Sequence, residues 1–114
     1  MSYPSELTSQ LKAGDNVVKF IPLKYGWVAL TEERLLYNSR VYYTDTQSKQ
    51  VETGNLPISK ITSIAVRQIK VKGCIGKKNV AVLAVNMQGA VYNLVMGGDT
   101  SAAQPLIAEF NARS

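Results

Sequence analysis

Lys70, Lys72, Lys77 and Lys78 crowd around the stretch Gly73-Cys74-Ile75-Gly76-Lys77-Lys78, the densest collection of chemistry-bearing side chains in the sequence. Ammonium groups beside glycines attract phosphate, because glycine lets backbone approach a ligand closely and the lysines supply a positive field. The pattern G-x-x-G-K-K lacks the four-residue gap and the Ser or Thr after lysine that a phosphate-wrapping P-loop requires. A G-x-x-G element also clamps RNA backbone in KH domains, but there it joins helices, and here β-rich sequence surrounds it. Two readings remain. One is a solvated hairpin whose lysines keep the protein soluble, the commoner use of a charge run. The other is an anion site in which Lys70, Lys72, Lys77 and Lys78 contact acidic lipid headgroups or nucleic acid.

The distribution of charge sharpens that choice. The 114 residues carry 13 Lys plus Arg against 8 Asp plus Glu, a formal charge of +5. Residues 1 to 52 are balanced, with six basic and six acidic side chains. Residues 53 to 98 contain Lys60, Arg67, Lys70, Lys72, Lys77 and Lys78 and no acid at all. The excess belongs to the middle of the chain.

Other chemistry is poorly supplied. There is no His, which removes the usual general acid-base group near neutral pH and with it the Ser-His-Asp and Cys-His arrangements. With one Cys and no His, only carboxylates remain as metal ligands, and Asp15, Glu32, Glu33, Asp45 and Glu52 show no calcium-loop spacing. We expect no catalytic residue, no metal, no cofactor and no small-molecule substrate. Adjacent Glu32 and Glu33 read as a solvated turn before Arg34. Neighbouring lysines would favour a Cys74 thiolate, but a lone cysteine with no resolving partner is usually inert filling. Tyr37, Tyr42 and Tyr43 with Arg34 and Arg40 have the composition of a stacking platform for single-stranded nucleic acid. The alternative, which we favour, packs Tyr37 and Tyr43 inward and leaves Tyr42 on a half-exposed sheet face. Trp27 reads as core.

Length and composition bound the frame that positions these groups. A 46% hydrophobic, 18% charged chain of this length is one folded domain, 1–114. Cys74 has no internal disulfide partner, and neither a secretory signal nor an apolar run of about 20 residues is present. A soluble, cytoplasmic protein is expected.

Periodicity predicts strands between two helices. A short helix near 5–12 places Leu7 and Leu11 four apart. Strands follow at Val17–Ile21, Trp27–Leu30 and Arg34–Tyr43, the last alternating Leu35, Tyr37, Val41 and Tyr43 with Leu36, Asn38, Arg40 and Tyr42. After a polar turn at Asp45–Lys49, a weaker strand lies near Gln50–Leu56. In Ile58–Lys72 the apolar parity slips between Ile64, Val66 and Ile69, Val71, and a β-bulge near Arg67-Gln68 would restore one face. The Gly73–Lys78 connection, a strand at Val80–Met87, a tight turn at Gln88-Gly89 and a strand at Ala90–Met96 complete seven strands over about 16–96. Val80–Val85 is apolar on both faces, so something must cover both: the chain's own core and helix, or another subunit. The last segment, about 100–113, is an amphipathic helix capped by Asp99 or Ser101, its regular part starting near Pro105. A seven-stranded antiparallel meander tends to curl into a barrel or two orthogonal sheets, with the final helix over the open end.

Three stretches resemble a known family. Gly26-Trp27-Val28-Ala29-Leu30-Thr31-Glu32-Glu33-Arg34-Leu35-Leu36-Tyr37 resembles the second-to-third-strand signature of bacterial pleckstrin-homology-like domains. Leu56-Pro57-Ile58-Ser59-Lys60-Ile61-Thr62-Ser63-Ile64 is similar to their Pro-led segment, and Val82–Met96 followed by Asp99–Phe110 to their last hairpin and closing helix. The resemblance covers nearly all of the chain after residue 11. It implies a mainly β, PH-like barrel of seven antiparallel strands in two orthogonal sheets, capped by a C-terminal α-helix. It also implies a non-catalytic module for protein binding or homo-oligomerisation. The lipid-binding members place clustered Lys and Arg around the first two strands, where this chain has only Lys19 and Lys24, so that headgroup site is not carried over.

Overall fold

Residues 3–42, 50–72, 76–97 and 100–114 are described in the computed structural model. A short helix, α1 (Ser5–Thr8), precedes β1 (Val17–Leu23), β2 (Gly26–Thr31), β3 (Arg34–Ser39), β4 (Val41–Tyr42) and β5 (Glu52–Pro57). A 3-10 turn at Ile58–Lys60 leads into β6 (Ile61–Lys72), β7 (Lys77–Met87) and β8 (Ala90–Val95), and α2 (Ala103–Arg113) closes the chain. The strands form two antiparallel sheets of four, ordered β1-β2-β3-β5 and β4-β8-β7-β6, and the sheets are not closed into one barrel.

Eight strand segments appear where seven were expected, because the Arg34–Tyr43 arm breaks at Arg40. Ser39 still pairs with Glu52 in the first sheet, whereas Val41 pairs with Leu94 in the second. The Arg40 carbonyl accepts a hydrogen bond from the Val95 amide at 3.3 Å and one from the Ser39 hydroxyl at 3.1 Å. One continuous stretch of chain therefore serves both sheets.

Strand alternation sorts the apolar residues into three clusters. Val28, Leu30, Leu35, Tyr37 and Val41 meet Ile61, Ile64, Leu83, Val85 and Leu94 in the central core. Leu106 and Phe110 of α2 enter the same core, and the helix lies against β1 and β6. Trp27, Ala29 and Leu36 point to the opposite face of the first sheet, where Leu7 covers them with Leu11, Val17 and Phe20 packed alongside. Trp27 is thus buried, in this second cluster. The helix reaches only Thr8, but Leu11 packs where a longer helix would have put it. Pro105 is tolerated at the third helical position, because the first amides of a helix have no intrahelical acceptor. The helix accordingly starts at Ala103, two residues before the proline, and Ala102 occupies the cap position in place of the expected Ser101. Asp99, the other expected cap, Tyr43 and the Asp45–Lys49 turn lie outside the described residues.

The expected bulge at Arg67-Gln68 is absent. β6 and β7 pair without interruption from Ser63↔Asn86 to Lys72↔Lys77, and the one shift falls between Ile61 and Ser63. No repair is needed, because both faces of the second sheet are covered. Ile64 and Val66 face the central core, while Ile69 and Val71 join Tyr42, Val80, Val82 and Val95 on the other side. The two-sided apolar strand is satisfied in the same way: Val82, Leu83, Ala84 and Val85 are all buried within this chain, without a second subunit.

The β2–β3 turn is held by one buried hydroxyl. Thr31 Oγ1 accepts from the amides of Glu33 at 3.3 Å and Arg34 at 3.0 Å, and donates to the Arg34 carbonyl at 3.2 Å. Thr31→Val keeps the shape and removes those partners. It should cost about 1–3 kcal/mol in urea unfolding, with an unchanged far-ultraviolet circular dichroism spectrum; a cost near zero would show that water satisfies the turn.

Candidate functional site

The basic residues stand on a hairpin arm. β8 pairs with β7 only over Val82–Met87, and one further bond, from the Met96 amide to the Ala81 carbonyl at 2.9 Å, extends the contact. Beyond that point, Gln68–Lys72 and Lys77–Val80 continue as a two-stranded ribbon. At about 3.3 Å per residue, the 12 residues of β6 span about 40 Å, most of the 48 Å long axis of the molecule.

The register distributes the predicted lysines unevenly. Lys70 lies opposite Asn79 and Lys72 opposite Lys77, so Lys70 and Lys77 are diagonal neighbours on one side of the pleat. Lys78 lies opposite Val71 and belongs to the other side. Lys70, Lys77 and Lys78 are exposed; of Lys72, only the backbone position is described. The four are therefore neighbours along the ribbon but do not converge on one point. Gly73, Cys74 and Ile75 lie outside the described residues, so the glycine loop and the Cys74 environment do too.

Among the described residues the aromatic platform is not formed. Tyr37 is 3% exposed and Tyr42 6%, leaving no ring face for a base, and Tyr42 is buried where a half-exposed position was expected. Burial, and secondarily Tyr92, push the Tyr37 hydroxyl up to about 12. Arg34 is ion-paired to Asp15 and donates to the Gln10 carbonyl at 3.3 Å. Arg40 instead lies 4.9 Å from the ring centre of Tyr25, a residue of the β1–β2 turn that Lys24 also approaches, at 5.5 Å. No local pattern announces this Lys24–Tyr25–Arg40 stack, because register alone brings Arg40 back to that turn.

Glu32, read as merely solvated, forms a two-pronged ion pair with Arg113, both contacts at 3.0 Å. It clips the end of α2 to the β2–β3 turn. Glu32, Arg34, Ile58, Ser59 and Arg113 line a concavity of about 640 Å³. Both of its arginines are committed to carboxylates of the fold, Arg113 to Glu32 and Arg34 to Asp15. Among the described residues, no group of three or more His, Cys, Asp or Glu is placed to hold a metal, and no helix is long and apolar enough to cross a membrane. Comparison with known proteins finds no matching family model, curated protein or solved structure.

Two measurements follow from these contacts. Holding Lys70 and Lys77 diagonally together carries a like-charge penalty, so Lys77→Glu should raise the melting temperature by a few degrees in low salt, with the gain fading as salt screens it; an unchanged melting point would mean that the arm frays before the fold melts. The Lys12 amide, donating at 2.8 Å, and Arg34 hold the Asp15 carboxyl below its usual value, and Arg113 does the same for Glu32. A carboxylate with a lowered folded pKa stabilises the fold above its unfolded value and loses that contribution as pH falls through the folded one. Stability should decline below about pH 4, with a shallower decline in Asp15→Asn; parallel pH profiles of the two proteins would contradict this.

Proposed function

We propose that this chain is a non-catalytic binding and assembly module of PH-like architecture, its two sheets and α2 arranged as a PH-like barrel and its arm offered to another protein chain. The observation that carries this reading is the edge of β6, which α2 packs against but no strand pairs with among the described residues. It is the outermost strand of its sheet, 12 residues long, with no strand on its outer side among the described residues. Such an edge presents a row of unpaired amides and carbonyls, a template for another strand. In the pairing to β7, Arg67, Ile69 and Val71 bond inward, which turns the amides of Val66, Gln68 and Lys70 outward.

A second copy of the chain is the partner proposed first. Self-pairing along β6 brings Arg67, Lys70 and Lys72 of two chains together, so association should strengthen as salt rises, contrary to an interface built on ion pairs. Sedimentation equilibrium over a salt series tests this. Gln68→Pro removes one outward amide while sparing the ladder to β7, and should return the protein to monomer at an unchanged fold. Monomer at every salt concentration in the parent protein would remove the assembly half of this reading.

A second reading is favoured by one observation, the segregation of charge onto the arm. Residues 53 to 98 hold six basic residues and no acid, and four of the six, Lys70, Lys72, Lys77 and Lys78, lie on the arm, which suits it to contact an acidic lipid surface or nucleic acid.

A further inference from the structure

The base of the arm, rather than its tip, is where cations and directed donors meet in a concave space. Where β8 ends, a groove of about 440 Å³ opens between the β1–β2 turn and the uncovered edge of β7. Its polar lining comes from four separate parts of the chain: Lys24 of the β1–β2 turn, Gln68 of β6, Lys78 and Asn79 of β7, and Thr100 before α2. None of its described lining residues is acidic. Neither Lys24 nor Lys78 has a carboxylate partner among the described residues, and Lys24 instead approaches the Tyr25 ring.

The backbone adds a fixed donor. The Ala81 carbonyl bonds to the Met96 amide, so Ala81 faces the β8 side of β7. Strand alternation then turns the amide of Asn79 to that same side, where β8 no longer runs. A strand amide, two ammonium groups, side-chain amides and a hydroxyl, with Gly97 leaving room for close approach, make up a donor set suited to a tetrahedral oxyanion. The volume is ample for a phosphate group with a small substituent.

We propose that this groove binds a phosphate group, with Lys24 and Lys78 as its cations and the Asn79 amide as its directional donor. The inference rests on the anion-binding reading of the arm but moves the site from the tip to the base, and enlists Lys24. The phosphate is a monoester, carried by a lipid headgroup such as that of phosphatidate or by a soluble phosphorylated molecule; both present the same dianion.

Inorganic phosphate, titrated against the whole chain labelled with ¹⁵N, should shift the Asn79, Gly97 and Thr100 amides along one saturable curve. Lys24→Gln and Lys78→Gln should each weaken that binding about fivefold, whereas Lys77→Gln, in the last pair of the ribbon and outside the groove, should change it less than twofold. The melting curves of Lys24→Gln and Lys78→Gln should match the parent's, because both lysines are exposed. Shifts without saturation, or equal weakening by all three variants, would overturn the groove in favour of a diffuse field. Weakening by Lys77→Gln alone would overturn it in favour of the tip, leaving the arm's anion binding intact. Vesicles of phosphatidylcholine with phosphatidate, against phosphatidylcholine alone, distinguish the sources. Phosphatidate-dependent sedimentation that Lys24→Gln abolishes assigns the phosphate to a headgroup, and saturable phosphate binding without sedimentation assigns it to a soluble molecule.

Discussion

The two sheets share one stretch of backbone, and most of the architecture depends on the corner it makes at Arg40. Because Ser39 is locked to Glu52 and Val41 to Leu94, the inner faces of the sheets cannot slide past one another. Tight hairpins fix two further registers: β1 and β2 through the turn at Lys24-Tyr25, and β7 and β8 through Gln88-Gly89, where Gly89 adopts a positive φ of 81°. Gly26 shows how tight this frame is. A side chain there would collide with the Asn38 carbonyl of the neighbouring strand. The mouth between β1 and β6 is left open by strand pairing, and α2 fills it with Leu106 and Phe110.

Much of this was legible in the sequence. The parity of Leu35, Tyr37 and Val41 against Leu36 marked the two faces of β3, and those residues divide between the central core and the cluster under Leu7 as the alternation requires. The parity slip in β6 was misread because a strand was assumed to have one buried face. Periodicity reports that apolar residues change sides, but not whether the second side is covered. Here both are, so the strand stays straight where a bulge was expected. Tyr42 was misjudged for the same reason: its neighbours Val71, Val82 and Val95 come from three other strands, and no local pattern announces that cluster.

The basic arm was legible as composition but not as geometry. Linear proximity of Lys70, Lys72, Lys77 and Lys78 suggested a ring of cations, whereas pleating assigns Lys78 and Lys70 to opposite sides. Conversely, Lys24 is far in sequence from Lys78, and only the termination of β8 brings both onto one groove. The Glu32–Arg113 clip joins residues still farther apart. Such contacts follow from how strands end and turn, which composition does not encode.

Trp27 is the chain's one tryptophan. It lies beneath Leu7 and stacks on Phe20, 6.1 Å between ring centres, with Tyr3 tilted against Phe20 in turn at 5.3 Å. Its buried indole N–H has no hydrogen-bond partner among the described residues. The intrinsic fluorescence of the molecule thus comes from the face of the first sheet that the N-terminal segment covers, on the side away from the central core. That light reports whether the N-terminal segment is seated, and it is a poor witness to anything that happens along β6 and β7.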